Sequence, residues 1–151
     1  MVDINRVSKY NNMDLNYISG FFDADGSITL CRNNKKDIYK SIKIDFTNTY
    51  LQILLEIQKY LIENYELKLF ISTKQSKKEN HATGYSLSCS SNQKCLKLCK
   101  LLNSKHPKKL HRINTLLKYH NIVTVKNGKY SISQNNKKIA YERLFFNSSF
   151  H

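Results

Sequence analysis

The stretch ISGFFDADGSI, residues 18 to 28, ends an apolar, helix-forming run with two aspartates and a glycine, and a strand-like sequence follows. A carboxylate at a helix C-terminus meets the negative end of the helix dipole and its unpaired carbonyls, so Asp25 is poorly placed unless a cation is near. On a helical wheel Leu15, Tyr17, Ile18, Phe21 and Phe22 fall on one arc, and Asn16, Ser19, Gly20, Asp23 and Ala24 on the other. The second arc is small. Glycine inside a helix costs ~1 kcal/mol relative to alanine, and the close approach of another helix is a sufficient reason for it. Those five residues are therefore the expected contact with a second copy of the chain across a two-fold axis. Asp25 would then lie near its symmetry mate, and a divalent cation removes both penalties. Asp25 supplies one ligand, the Ala24 carbonyl a second, and waters with phosphate oxygens complete the shell that Mg²⁺ prefers. Gly26 is expected to let the chain turn into the strand. A calcium loop is a poorer fit, since no third ligand precedes the glycine and Asn34 stands where the twelfth-position Glu belongs. A plain helix-ending turn needs no metal, and on these residues alone it is the favoured reading.

The charge indicates which phosphate is meant. The chain has 25 Lys and Arg against 11 Asp and Glu, a formal charge of +14, and after His81 the only acid is Glu142. Nucleic acid is the expected partner, with a basic surface kept for solubility as the plain alternative. No run is apolar and charge-free over the ~20 residues a membrane span needs, and the Asn- and Lys-rich start does not read as a signal peptide, so no membrane role is expected. Cys31, Cys89, Cys95 and Cys99 form no C-x-x-C pair, which argues against zinc; Cys95 and Cys99, one helical turn apart among leucines, read as ordinary buried thiols, and a reducing, intracellular compartment is expected. The excess of Asn, Lys, Ile and Tyr over Gly, Ala and Pro suits an AT-rich organellar genome, mitochondrial or chloroplast.

The elements that must position Asp25 follow from hydrophobic spacing. Helices are expected at 13–24, at 51–63 with Leu51, Leu54, Leu55, Ile57 and Leu61 buried, at 92–102 and at 109–120. Strands are expected at 27–33 and 39–47, and again at 67–73 and 84–90. The order is helix, hairpin, helix, hairpin, helix, helix: an α+β domain of one antiparallel sheet with helices packed on one face. The open face would carry Thr29, Cys31, Asn33, Ser41, Lys43, Asp45, Lys68, Phe70, Ser72, Ser86 and Ser88, a mostly polar set suited to base edges in the major groove. A solvated sheet face is the competing reading. Lys35, Lys36, Lys74, Lys77 and Lys78 lie at the hairpin ends, where they would meet phosphate. One domain over 1–151 is expected, with its core at about 10–120. The 121–151 extension could be a further helix, a basic tail or a cover on the core.

ISGFFDADG resembles the LAGLIDADG motif of homing endonucleases. Gly20, Asp23, Ala24, Asp25 and Gly26 match it, and Ile18, Ser19, Phe21 and Phe22 are conservative replacements. The order of elements is similar to that family's α-β-β-α-β-β-α fold, and a single motif copy implies its homodimeric group. The resemblance implies that paired motif helices form the dimer centre and that the sheets make a saddle on double-stranded DNA. It implies that Asp25 binds Mg²⁺, with Mn²⁺ or Ca²⁺ able to substitute for binding. Asn48, after the second strand, and Gln52, four residues on, fall at further active-site positions, as does a lysine near the start of the late helix, Lys108 or, by preference, Lys109. For that lysine a phosphate anchor or plain solvation is the alternative. The implied activity is metal-assisted hydrolysis of both strands of a long pseudo-palindromic site. An intron RNA maturase, or a DNA-binding protein that does not cut, could use the same fold.

Overall fold

The Asp14 carboxylate accepts the Tyr17 amide hydrogen at 2.7 Å, which caps the start of the first helix. The computed structural model describes residues 13–74 and 83–147. In it, α1 (Leu15–Asp25) passes directly into β1 (Gly26–Cys31), and β2 (Ser41–Asn48), α2 (Leu51–Tyr65), β3 (Phe70–Lys74) and β4 (Gly84–Cys89) follow. Three helices complete the chain: α3 (Asn92–Leu101), α4 (Pro107–Val123) and α5 (Ile132–Phe146). The helix and hairpin order read from the sequence holds through α4. That helix starts two residues earlier than its apolar spacing suggests, because Pro107 suits a first helical position and His106 caps it.

All four strands join one antiparallel sheet in the order β1-β2-β4-β3. Registered pairs put Ile28 opposite Ile44, Leu30 opposite Ile42 and Phe46 opposite Leu87 on the face that α1 to α4 cover. Alternation by two then turns the polar positions to the other face. No helix among the described residues is long and apolar enough to cross a membrane.

Two helical faces differ from their wheels. In α2 the buried set is Ile53, Leu54, Ile57 and Leu61, whereas Leu55 is 39% exposed. In α1 Tyr17 is 40% exposed and Ser19 only 3%. Helix α1 is thus rotated so that Ser19 joins Ile18 and Phe22 inside.

Gly26 does not serve a turn. Its φ of −93° and ψ of 163° are ordinary extended values, but a Cβ there would lie 2.3 Å from Phe22 Cδ1 and 2.6 Å from the Phe22 carbonyl oxygen. The close approach of β1 to the last turn of α1 is what requires glycine. Gly26→Ala is expected to lower unfolding stability by about 2 kcal/mol, measured by urea titration. Gly84→Ala, whose Cβ would meet nothing nearer than 3.8 Å among the described residues, should change it little.

Of the three readings of the 121–151 extension, helix α5 fits a further helix that covers the core. Tyr141 and Phe145 enter the same apolar cluster as the sheet and α1. The Arg112 guanidinium of α4 lies 5.0 Å and 5.4 Å from the ring centres of Phe145 and Phe146. The Tyr39 hydroxyl donates to Asn135, tying α5 to the approach to β2.

Candidate active site and nucleic-acid face

Asp25 is the last residue of α1 and is exposed. Its surroundings come from three further elements. At the end of β2, Asn48 Nδ2 donates to Asp25 Oδ2 at 3.2 Å, and Thr47 Oγ1 donates to the Asp25 carbonyl at 3.2 Å. From the first turn of α4, Lys109 Nζ donates to the carbonyls of Phe22 and Asp23 at 2.9 and 2.8 Å. The Gly26 amide also donates to Phe22 O. Of the four final carbonyls of α1, those of Phe22, Asp23 and Asp25 are thus engaged, and that of Ala24 takes none of these bonds.

The ammonium of Lys109 offsets part of the helix-end repulsion that the sequence alone assigns to a cation. Burial lowers its pKa below the usual lysine value, while the charges of Asp23 and Asp25 act to raise it. Lys109 and Asn48 therefore meet at the end of α1. Lys108 is exposed, and Gln52 is turned away from Asp25, with Nε2 donating to Glu56 at 3.1 Å.

The small arc of α1 divides. Asn16, Gly20 and Ala24 are exposed, and among the described residues a Cβ on Gly20 would meet nothing within 4 Å. Ser19 and Asp23, expected in the same interface, instead hold the chain's own segment between α3 and α4. Ser19 Oγ accepts the Asn103 amide hydrogen at 2.9 Å. Asp23 accepts from the Ser104 hydroxyl and, at 2.7 Å, from the Lys105 amide. That segment lies outside regular structure and needs partners for its amides, and two polar side chains of α1 supply them.

The sheet face opposite the helices collects the residues expected there except Lys68, because β3 begins only at Phe70 and leaves Lys68 in the irregular segment before it. Thr29 pairs with Lys43 and Cys31 with Ser41; Asp45 pairs with Ser88, Phe70 with Ser88, and Ser72 with Ser86. Asn33, just past β1, donates to Ser41 Oγ at 3.2 Å. Lys35, Lys36, Lys43, Lys68 and Lys74 are exposed, and Lys77 and Lys78 lie outside the described residues. Asp45 and Ser86 are on this face yet only 6% and 1% exposed, because they bond to their neighbours.

Sequence reasoning missed Arg112, Thr47 and Ser104. Arg112 Nη1 donates to the Ile28 carbonyl at 2.7 Å, so α4 grips both α1 and β1 through residues three apart on one helix face. That i, i+3 spacing of Lys109 and Arg112 was the available signal. Among the described residues no group of three or more His, Cys, Asp or Glu could hold a metal ion.

The family model described as LAGLIDADG endonuclease matches residues 18–123. Among solved structures, the chain is similar to the archaeal intron-encoded homing endonuclease I-Vdi141I complexed with DNA, with 16% identity, a TM-score of 0.52, and coverage of 89% of this chain and 98% of that one. It is similar to a mutant of I-SmaMI, with 13% identity, a TM-score of 0.66, and coverage of 97% and 49%. It is also similar to the I-LtrWI LAGLIDADG homing endonuclease bound to target DNA, with 9% identity, a TM-score of 0.56, and coverage of 90% and 45%. The chain thus spans nearly all of I-Vdi141I and about half of the I-SmaMI and I-LtrWI chains. At such identities the likeness is one of fold. No curated protein sequence matches the chain. The matched segment runs from within α1, past Asp25 and the sheet, to the last residue of α4, and the chain belongs to the LAGLIDADG endonuclease family.

Proposed function

We propose that this protein is a site-specific DNA endonuclease that works as a homodimer and hydrolyses phosphodiester bonds with a divalent metal, Mg²⁺ by preference. The observation that carries this reading is the end of α1. An exposed carboxylate, held on one oxygen by Asn48, adjoins the Ala24 carbonyl, which takes none of the bonds that the described residues make to the end of the helix, with an ammonium beside them. Such oxygen donors suit a hard cation. Asp25 and the Ala24 carbonyl would hold it, and substrate phosphate, water and the second copy would supply the remaining oxygens. When bound, the cation contributes Lewis-acid polarisation and a more acidic water. Asn48 fixes the Asp25 carboxylate. Lys109 has three N–H donors, two of them on carbonyls, which leaves one for a phosphate oxygen or an ordered water. Gln52 joins this work only by leaving Glu56.

Dimerisation is supported by Gly20, whose helix penalty no contact among the described residues explains. The half-length relation to I-SmaMI and I-LtrWI also supports it. Gly20→Leu is expected to keep a folded monomer and abolish both association and cutting, read by sedimentation and by cleavage assay. A dimer that survives Gly20→Leu would remove α1 from the interface. The function itself is tested on a randomised duplex library in Mg²⁺ and, separately, in Ca²⁺. Cutting at one pseudo-palindromic site in Mg²⁺ supports the endonuclease. Tight binding of duplex or intron RNA with no cutting in either ion would replace it with a DNA-binding or maturase role.

A further inference from the structure

Among the described residues Asp45 is the one acid on a sheet face that otherwise suits a polyanion, and it sits near the middle, registered with Ser27 on β1 and Ser88 on β4. Its surroundings show what it does there. The Ser88 hydroxyl donates to Asp45 Oδ1, and Ser86 Oγ lies 3.5 Å from the same oxygen and 3.3 Å from Ser88 Oγ. Lys43 Nζ stands 3.9 Å from the other carboxylate oxygen. A carboxylate only accepts, and a hydroxyl has a single hydrogen to give. The Ser88 hydrogen is committed to Asp45, so Ser88 turns lone pairs to the open side. Ser86 is buried and backs this arrangement from within the sheet. Ser88 is only half-buried and can be reached.

We infer that Asp45 is a specificity-determining residue: by fixing Ser88 as an acceptor, it makes this point of the sheet select the exocyclic amino group of adenine or cytosine in the major groove. Guanine N7 and O6 and thymine O4 are acceptors themselves and are turned away. Lys43, half-exposed beside the carboxylate, offsets its charge so that the acid does not repel the duplex as a whole. Asp45 acts through Ser88 and is a positioning residue for it. The inference rests on the DNA reading of the sheet face and adds to it the sign of one contact.

The test is a binding selection from a randomised duplex library, with the bound pool sequenced, for the native protein, Asp45→Asn and Ser88→Ala. The native protein should restrict one symmetry-related pair of positions to adenine or cytosine on the contacted strand. Asn can donate as well as accept, so Asp45→Asn frees the hydroxyls and should relax that pair alone by roughly tenfold. Ser88→Ala should relax the same pair, and it carries the test if Asp45→Asn fails to fold. Variants that keep every preference of the native protein, or that weaken all positions equally, would overturn the role of Asp45 while leaving DNA recognition standing. A native pool with no preference at any position would instead remove the DNA reading of the face.

Discussion

Asp25→Asn is expected to lower the cleavage rate in Mg²⁺ by at least about 10³-fold, since losing a single charge-stabilising group at a phosphoryl or acyl centre already costs 10²–10³, and to leave duplex binding unchanged or tighter. The substitution changes charge and almost nothing else. Asp25 is exposed, so no core contact is lost. Its side-chain bond is accepted from Asn48 Nδ2 on Oδ2, and the amide oxygen of asparagine can accept the same bond. The Thr47 bond goes to the backbone carbonyl and is untouched. A neutral group also suits the negative end of α1 better than a carboxylate does, and in a dimer it removes repulsion between two like charges. Folding, association and DNA affinity should therefore survive while cation binding fails. The measurement pairs single-turnover cleavage in Mg²⁺ with equilibrium binding in Ca²⁺ on one duplex. Asp23→Asn is the instructive contrast, because Asp23 holds Ser104 and the Lys105 amide and its loss should act on stability. An Asp25→Asn protein that cuts within tenfold of native would mean that Asp25 is not the metal ligand.

How much of this was legible beforehand depended on whether a signal was local. Alternation by two put Thr29, Lys43, Asp45 and Ser88 on one face, because a strand has no other way to sort its side chains. The end of α1 was legible for the same reason, since its capping problem is set by adjacent residues. The bonds that Ser19 and Asp23 make within the chain were not legible, because a wheel assigns small polar residues to the outside. Their partners, at 103 to 105, are more than 80 positions away in the sequence, and no periodicity carries that information. Helix α5 was hidden by its own chemistry. Its buried positions are Lys138, Tyr141 and Phe145, so a lysine heads the inward stripe while Ile132 and Ile139 face solvent. The polarity that obscured α5 is also expected to make its seam with α4 sensitive to acid.

Stability is expected to fall as pH drops from about 6.5 toward 4, through His120. The ring is 2% exposed, and its Nδ1 lies 2.8 Å from the Tyr141 hydroxyl. Burial, then the positive charge of Lys138, pushes its pKa down from 6.5 to about 4. A histidine held neutral in the folded state binds its proton more readily once unfolded, so its contribution is fully present above 6.5 and is lost as pH falls toward 4. A gap of that size corresponds to about 3 kcal/mol in all, of which about 2 kcal/mol is gone by pH 5. Lys138 pushes the same way in a higher range. Its Nζ donates to Thr124 Oγ1 at 2.7 Å, and burial lowers its pKa while Glu142 acts to raise it. Its contribution to stability therefore also grows with pH, as the ammonium becomes easier to discharge inside the fold than outside. The check is urea unfolding of the native protein and His120→Gln at pH 7.5, 6 and 5. Glutamine can still meet the Tyr141 hydroxyl but does not titrate, so most of the slope between pH 6.5 and 5 should vanish in the variant. Equal slopes in the two proteins would mean that the proton is taken up elsewhere. The consequence for activity follows from α4, which carries His120 at one end and Lys109 and Arg112 at the other. Acid that loosens the α4–α5 seam therefore acts on the helix that grips the end of α1 and the carbonyl of Ile28. Cleavage should accordingly fall over the same pH range in the native protein, and less in His120→Gln.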